Sequence, residues 1–147
     1  MKITKLESVD FDIVQYELVM ARMPGFAMVG NELRDYLNKM VTNGCVFVGE
    51  SEQGNLLGLI GGYANDHILQ MAYVSSFVVA QAVEGKGVAS QLFERFCVSA
   101  KSAGMHAVSL NVRKDNPRAI AFYSKMGLCV VGQGRDDDHW LMSGEIC

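Results

Sequence analysis

The sequence predicts a single domain of mixed α/β (α+β) class, in which a mostly antiparallel sheet of about six to seven strands is flanked by about four helices. Two observations support this prediction. Apolar residues recur with helical spacing in some segments and form short runs in others, and turn-forming residues separate the two kinds of segment. In chain order the segments read β-αα-βββ-α-β-α-ββ over residues 1–147.

Two helices are predicted in the first third of the chain. Ser8 or Asp10 is placed to cap the first, which ends near Arg22 before a Pro-Gly break. Asn31 is placed to cap the second, and Asn43–Gly44 ends it. The apolar residues of the second helix recur at i, i+3, i+4, i+7 and i+8: Leu33, Tyr36, Leu37, Met40 and Val41.

Strands are predicted for the apolar runs that are too short for helices and are bounded by turn residues. They comprise residues 2–7, 45–50, 56–64, 71–79, 107–112, 128–132 and 139–143. Short turns between the second, third and fourth runs favour antiparallel pairing. The connection from the fourth run to the fifth passes through a helix, so these two strands are expected to be parallel neighbours.

Two further helices are predicted in the second half of the chain. The first covers Gly87–Ala103, and Gly104 is suited to the position just past its end. Its apolar row is Val88, Leu92, Phe96 and Ala100. In the second, Asn116–Pro117 combines a cap with proline at the first helical position. That helix should end near Met126, before Gly127.

The composition excludes several classes of partner. Half of the 147 residues are apolar, the net charge is -3, and no dense Lys/Arg cluster is present, so neither nucleic acid nor an anionic membrane is expected to bind. The longest apolar stretch, Leu56–Ala64, contains three glycines and is too short to span a bilayer. With no signal peptide visible, a cytoplasmic location is expected.

The cysteines and histidines give no metal pattern. The cysteines, Cys45, Cys97, Cys129 and Cys147, have no CxxC spacing, and the three histidines do not complete a zinc site. We therefore expect reduced, mostly buried thiols and no metal.

The segment 77–89 has the features of a phosphate-binding loop. A buried strand ends at Val79, and a short loop leads into a helix whose start contains Gly85, Gly87 and Ala89. The first N–H groups of a helix lack internal acceptors and lie at the positive end of its dipole. Small residues let phosphate oxygens approach that backbone, so the loop predicts a pyrophosphate cradle.

Two other nucleotide-binding loops do not fit this segment. A Walker A loop needs Ser or Thr after Lys86, where Gly87 stands, and a glycine where Ala80 stands. A dinucleotide fingerprint needs a third glycine at Ser90 and an acidic residue about 20 positions further on. The remaining alternative is a glycine-containing turn that binds no ligand.

Two motifs together resemble those of the GNAT superfamily of acetyltransferases. Glu84–Ala89 resembles the acetyl-CoA pyrophosphate loop Q/R-x-x-G-x-G/A, and Asn116–Leu128 looks like the second signature, N-x-x-A-x-x-x-Y-x-x-x-G-F. The order of elements is also that of the family. The chain departs from the pattern at Glu84, where Gln or Arg is usual, and at Leu128, where Phe is usual. A carboxylate there repels pyrophosphate unless it points to solvent or pairs with Lys86.

The resemblance, which extends from about Cys45 to Met142, implies an acetyl-CoA site. The backbone that would bond the pantetheine arm, in a gap between the fourth and fifth strands, is that of Phe77, Val78 and Val79. The loop that would hold the pyrophosphate comprises Glu84, Gly85, Lys86, Gly87, Val88 and Ala89. The other implied cofactor contacts are Asn111, Asn116 and Ala119. Asn116 is equally well explained as a helix cap alone.

The resemblance also implies a general acid. Tyr123 would protonate the departing CoA thiolate; the alternative is a tyrosine packed on a helix face. Many relatives place a glutamate near the start of the fourth strand as general base, but residues 70–76 contain no carboxylate. The base therefore stays unassigned among Tyr73, Ser75, His67, Asp138 and His139.

The activity implied is transfer of an acetyl group from acetyl-CoA to a primary amine of a small molecule, directly in a ternary complex. A protein or peptide acceptor, and a catalytically weak acyl-CoA-binding regulatory module, are the alternatives. Acceptor contacts are expected from the first two helices and the hairpin before the last strand: Tyr16, Met20, Met23, Phe26, Met28, Tyr36 and residues 135–140. Dimers are common in the superfamily, and a homodimer through an exposed last strand stays open.

Overall fold

The computed structural model describes residues 1–146 and confirms the predicted order of elements. The strands are β1 Lys2–Lys5, β2 Cys45–Glu50, β3 Leu56–Tyr63, β4 Met71–Val79, β5 Ala107–Arg113, β6 Cys129–Gln133 and β7 His139–Glu145. The helices are α1 Val14–Met20, α2 Gly30–Asn43, α3 Val88–Ser102 and α4 Pro117–Lys125, and a 3-10 turn covers Gln81–Val83.

The seven strands follow the order β1-β2-β3-β4-β5-β7-β6. The pairs β1–β2, β2–β3, β5–β7 and β6–β7 are antiparallel, and β4–β5 is parallel, as the helical crossover predicted. The parallel register joins Met71–Val74 to Ala107–Leu110, whereas β4 continues to Val79 and β5 to Arg113. The chain forms two compact units, one of residues 1–63 and 75–96, the other of residues 64–74 and 97 onwards.

In the first unit, helices α1 and α2 bury one face against the strands. From α2, the side chains of Leu33, Leu37 and Met40 are almost fully buried, as their helical spacing predicted. They belong to an apolar cluster with Met20 of α1 and Val46 of β2. Each such side chain contributes about 1.5–3 kcal/mol to the free energy of unfolding, so this cluster fixes both helices on the sheet.

The predicted start of the first helix is wrong, because tertiary contacts hold residues 8–13 outside it. The backbone N–H of Val9 donates to Oδ1 of Asn38 at 2.8 Å, and Nη1 of Arg34 donates to the carbonyl of Phe11 at 2.8 Å. Helix α1 begins only at Val14, whose N–H is accepted by Asp12 at 3.0 Å. Neither Ser8 nor Asp10 caps it.

The predicted cap of the second helix is also wrong. Helix α2 begins at Gly30, one residue before Asn31. The N–H of Gly30 donates to the carboxylate of Glu17 at 2.8 Å, so a side chain from α1 satisfies the start of α2. At the other end, Gly44 terminates the helix as predicted, with its N–H bonded to the carbonyl of Met40 at 2.8 Å.

In the second unit, helix ends match the sequence signals closely. Gly104 has φ 93°, and the N–H of Met105 donates to the carbonyl of Ala100 at 3.0 Å, which is the bond that closes a Schellman motif. Asn116 caps α4 by accepting the N–H of Ala119 at 3.1 Å. The residue after that helix, Gly127, has φ 98°. These glycines tolerate a left-handed conformation that other residues rarely adopt.

The prediction of mostly buried thiols is only partly right. Cys45 is buried and Cys97 is half-buried, whereas Cys129 is exposed; all three are free thiols. Cys129 starts β6, which ends the strand order and has four of its five residues exposed. Cys147 lies outside the described residues. Within residues 1–146, no helix combines the length and hydrophobicity needed to cross a membrane.

Candidate active site

The loop from β4 to α3, in the first unit, passes through two glycines in the left-handed region. Gly85 has φ 75° and Gly87 has φ 82°. A Cβ at Gly85 would have nothing within 4 Å, and one at Gly87 would meet only the side-chain amide of Gln91, at 3.9 Å. The loop therefore needs glycine for its conformation, and its backbone borders open space that a ligand can enter.

The backbone donors of this loop lie at the start of α3. The first α-helical bond runs from the N–H of Gln91 to the carbonyl of Gly87, at 3.2 Å. The N–H groups of Val88 and Ala89 come before it and have no acceptor within the helix. The N–H of Lys86 is used in the preceding turn, where it donates to the carbonyl of Val83 at 3.2 Å.

Glu84 is paired with a residue that the sequence did not indicate. Its carboxylate forms a salt bridge with Nη2 of Arg22, and Nη1 of Arg22 donates to the carbonyl of Val79. The carboxylate is thus paired with Arg22, a residue outside the loop. The two side chains of this ion pair are about one-third exposed, 33% and 32%. They lie 62 positions apart along the chain, so no local pattern could have found this contact.

Packing fixes the end of β4 in front of the loop. The ring of Phe77 stacks on Phe93, with centroids 6.1 Å apart, and Val78 is buried in the apolar cluster of the first unit. The N–H of Ala80 donates to the carbonyl of Leu57 on β3 at 2.8 Å. Side chains and ladder bonds therefore hold the backbone of Phe77–Val79 in one place.

In the second unit, Tyr123 lies on α4 and is half-buried. Its ring makes an edge contact with Phe122, with centroids 5.4 Å apart. Burial raises the pKa of Tyr123 to about 12, because the phenolate is poorly solvated there. The hydroxyl consequently keeps its proton throughout the neutral range.

Both polar atoms of Asn111 are engaged within the second unit. Oδ1 accepts the N–H of Arg135 at 2.8 Å, and Nδ2 donates to the hydroxyl of Tyr73 at 2.9 Å. A Cβ at Gly134 would stand 2.5 Å from Oδ1 of Asn111, so glycine is needed beside this bond. Asn111 thus ties a residue of β4 to the turn before β7.

The hairpin before β7 encloses a histidine that the sequence left open as a base. His139 is 6% exposed; Nδ1 lies 2.6 Å from Oδ1 of Asp136, and Nε2 lies 3.0 Å from Nη2 of Arg135. Arginine can only donate, so Nε2 accepts and Nδ1 carries the hydrogen. The bond to His139 is the main reason why the pKa of Asp136 is lowered. Both ring nitrogens thus serve to order the hairpin.

The other candidate bases differ in exposure. Ser75, His67 and Asp138 are exposed, and Tyr73 is half-buried with its hydroxyl held by Asn111. Among residues 1–146, no group of three or more His, Cys, Asp or Glu side chains is arranged to hold a metal ion.

The six residues of the first unit that were proposed to contact the acceptor belong to its core. Tyr16 and Met20 are buried, and Met23, Phe26, Met28 and Tyr36 are partly buried against the same cluster. The hydroxyl of Tyr36 lies 2.7 Å from that of Ser76. These six side chains therefore stabilise the first unit.

Comparison with known proteins agrees with this architecture. The model of the acetyltransferase (GNAT) family matches residues 15–128. The chain is 30% identical over 117 residues to a spermidine N(1)-acetyltransferase of Vibrio cholerae, and 31% identical over 78 residues to the uncharacterized N-acetyltransferase YdgE of Bacillus subtilis. These matches cover 78% and 52% of this chain, but only 66% and 50% of the relatives' own length.

A solved structure extends the likeness to nearly the whole chain. Spermidine N-acetyltransferase from Vibrio cholerae, in complex with CoA and spermine, superposes with a TM-score of 0.78 over 98% of this chain and 95% of that one, at 22% identity. At this identity the likeness shows the fold alone. With the family model covering residues 15–128, however, the chain belongs to the GNAT family of acetyltransferases.

Proposed function

We propose that this protein is an acetyl-CoA-dependent N-acetyltransferase that transfers the acetyl group directly, in a ternary complex, to a primary amine of a small molecule. Membership of the GNAT family supports the reaction class. The observation that most supports the donor is the loop at Gly85 and Gly87, which brings bare backbone to the N-terminus of α3.

The features of the loop fit a pyrophosphate. The N–H groups of Val88 and Ala89 point along the axis of a 15-residue helix, at the positive end of its dipole. The glycines leave room where side chains would block phosphate oxygens. The ammonium of Lys86, which is exposed, adds a mobile positive charge. We assign the diphosphate of acetyl-CoA to these residues.

We assign the pantetheine arm to the backbone of Phe77–Val79, which would bond it as a further strand. The fixed backbone at the end of β4 supports this assignment. Asn116 and Ala119, at the start of α4, are proposed as further contacts of the arm. For Asn111, whose amide is engaged with Tyr73 and Arg135, we propose a supporting role in holding the β4 tyrosine.

Acetyl-CoA supplies an activated thioester, whose carbonyl carbon forms a bond with the acceptor nitrogen as the carbon–sulfur bond breaks. Tyr123 is proposed to give its proton to the departing thiolate, while the amine gives up a proton to solvent. A phenol whose pKa is about 12 holds that proton at every working pH. It is therefore always available as a donor. Because a thiolate is less basic than this phenolate, the transfer requires a close hydrogen bond to the departing sulfur, and the phenolate then takes a proton back from solvent.

For the acceptor, we propose that polyamines be tested first among small amines. The Vibrio cholerae relative, 30% identical to this chain, is a spermidine acetyltransferase. We further propose that the reaction takes place in the cytoplasm without a metal, nucleic acid or membrane; whether the protein forms a homodimer stays open. The three cysteines among residues 1–146 are free thiols, which supports a cytoplasmic setting.

Two measurements test the proposal. Calorimetric titration with acetyl-CoA, with CoA and NADH in parallel, should give saturable binding of both CoA forms and none of NADH. Thiol release should then be followed with a panel of polyamines, amino acids, amino sugars and a peptide N-terminus. Release with a small amine but not with the peptide is the expected result. Failure to bind acetyl-CoA at high micromolar concentration would contradict the proposed function.

A further inference from the structure

Arg22 bridges two groups of the first unit that the proposed function places at the donor site. One end of its guanidinium pairs with the carboxylate of Glu84, and the other donates to the carbonyl of Val79. The first group begins the pyrophosphate loop, and the second ends the β4 backbone assigned to the pantetheine arm. One cation thus contacts both parts of the proposed site, although the β4 backbone is held mainly by its own packing and by the bond from Ala80 to Leu57.

The position of Arg22 is firmly determined. It lies two positions after Met20, the last residue of α1, whose side chain is 0% exposed. Its own N–H donates to the carbonyl of Val19 at 3.1 Å, and the next N–H donates to Met20 at 3.0 Å. The backbone that carries the guanidinium is therefore held by the core of the first unit rather than by the loop it contacts.

The electrostatics of the loop require such a cation. Glu84 immediately precedes Gly85, and an uncompensated carboxylate there would repel a diphosphate. Pairing with Arg22 cancels that charge. A guanidinium also carries five N–H donors, so bridging two protein oxygens leaves donors for an oxygen of the ligand.

We infer that Arg22 is a positioning residue of the donor site, which neutralises Glu84 and thereby lets the loop accept the pyrophosphate of acetyl-CoA. This inference rests on the proposed function. Arg22 lies outside both sequence motifs. It supplies the positive charge that Glu84, at the first position of the loop, does not. In this protein, pyrophosphate binding then depends on a contact between the α1 end and the loop.

A double-mutant cycle with Arg22→Gln and Glu84→Gln tests the inference, with the dissociation constant of acetyl-CoA measured by calorimetry. Arg22→Gln should weaken binding roughly tenfold or more, because it removes the guanidinium that offsets the carboxylate beside the diphosphate. Once Glu84→Gln has removed the charge that needs compensation, adding Arg22→Gln should weaken binding by no more than about threefold relative to Glu84→Gln alone. The double variant should bind clearly better than Arg22→Gln alone.

Two controls separate this role from a general effect on structure. Pantetheine lacks the pyrophosphate, so its weak binding, followed by ligand-observed NMR, should be the same in Arg22→Gln and the wild type. Lys101→Gln removes the same charge at the far end of α3, about 21 Å away along the helix. It should leave the acetyl-CoA affinity within about twofold of the wild type, because screening weakens so distant a charge.

The outcomes are distinguishable. If the wild type does not bind acetyl-CoA, the proposed function fails and the inference with it. If the wild type binds but Arg22→Gln binds equally well, or the double variant is as weak as Arg22→Gln, the inference alone is overturned. An equal loss of pantetheine binding would also overturn it, because the loss would then not depend on the pyrophosphate.

Discussion

Single residues of the proposed site differ in how their surroundings affect their protonation and hydrogen bonding. Tyr123 is half-buried on α4 and keeps its proton because burial raises its pKa to about 12. His139, in contrast, has both ring nitrogens engaged by Arg135 and Asp136. At this scale the tyrosine holds its proton through the neutral range, and the histidine has a structural task in the hairpin.

The first prediction concerns the hydroxyl of Tyr123. Tyr123→Phe should leave the calorimetric affinity for acetyl-CoA nearly unchanged and lower kcat by roughly ten- to a thousandfold, because only the proton donor is lost. Phe122→Leu is a suitable control, since it changes the neighbouring ring without touching the hydroxyl. Unchanged turnover in Tyr123→Phe would remove the tyrosine from the mechanism.

The second prediction concerns Gly87. Valine there should weaken acetyl-CoA binding by at least about tenfold, because it adds bulk to the open face and strains a backbone with φ 82°. Gly54→Val is a matched control: Gly54 has φ 81°, also borders open space and lies in the turn after β2. Equal affinity losses in the two variants would point to strain and would remove Gly87 from the phosphate site.

At the scale of elements, the termini of α4 and of the first two helices are stabilised in different ways. Helix α4 is capped by its own Asn116 and begins with Pro117. Helix α2 is capped by Glu17, which lies 13 positions before Gly30. Local caps can be recognised from sequence, whereas a cap supplied by another helix exists only once the two helices have packed.

The third prediction separates the two interpretations of Asn116. Asn116→Ala should reduce the free energy of unfolding by about 1 kcal/mol in urea, because the N–H of Ala119 loses its acceptor. Asn116→Ser should retain most of that stability, since serine is also a good cap. If the serine variant nevertheless binds acetyl-CoA several-fold more weakly, the amide contacts the cofactor; if affinity is retained, Asn116 is a cap alone.

At the scale of the whole molecule, two tyrosines couple stability to alkaline pH. Burial, and to a smaller extent the charge of Glu50, raise the pKa of Tyr16 to about 12, and burial does the same for Tyr123. Well below pH 10, both phenols are neutral in the folded and in the unfolded chain. Above that pH the unfolded chain ionises first, so stability falls between about pH 10 and 12.

The fourth prediction tests this coupling. Tyr16→Phe should make the decrease of the unfolding free energy with pH shallower by up to about 1.4 kcal/mol per pH unit between pH 10 and 12. Urea denaturation at a series of pH values, followed by far-UV circular dichroism, measures it. Tyr123→Phe should flatten the curve in the same direction. Parallel curves for the wild type and both variants would show that neither phenol is buried enough to matter.

The order of elements, the parallel β4–β5 pair and the ends of α3 and α4 were all predictable from the sequence. Each depends on a signal carried by neighbouring residues, such as the apolar row of α3 or the Asn116–Pro117 pair before α4. The glycine loop at residues 84–89 was also recognisable, because glycines between a strand and a helix are a local signal, and Gly85 and Gly87 do adopt positive φ. These features are local, because helix, strand and turn preferences depend on the residues within a short stretch of chain.

Only the tertiary structure decided where α1 begins, what caps α2 and what pairs with Glu84. The segment at Val9 stays outside the helix because Asn38 binds its backbone from 29 positions away, and Arg22 reaches Glu84 across 62 positions. Such contacts form when packing brings distant segments together. By itself the sequence determined the fold class and the family motifs. The charge balance of the loop at residues 84–89 depends on Arg22, which reaches the loop only in the folded chain. The physical reason is that an ion pair depends on distance in space and not on distance along the chain.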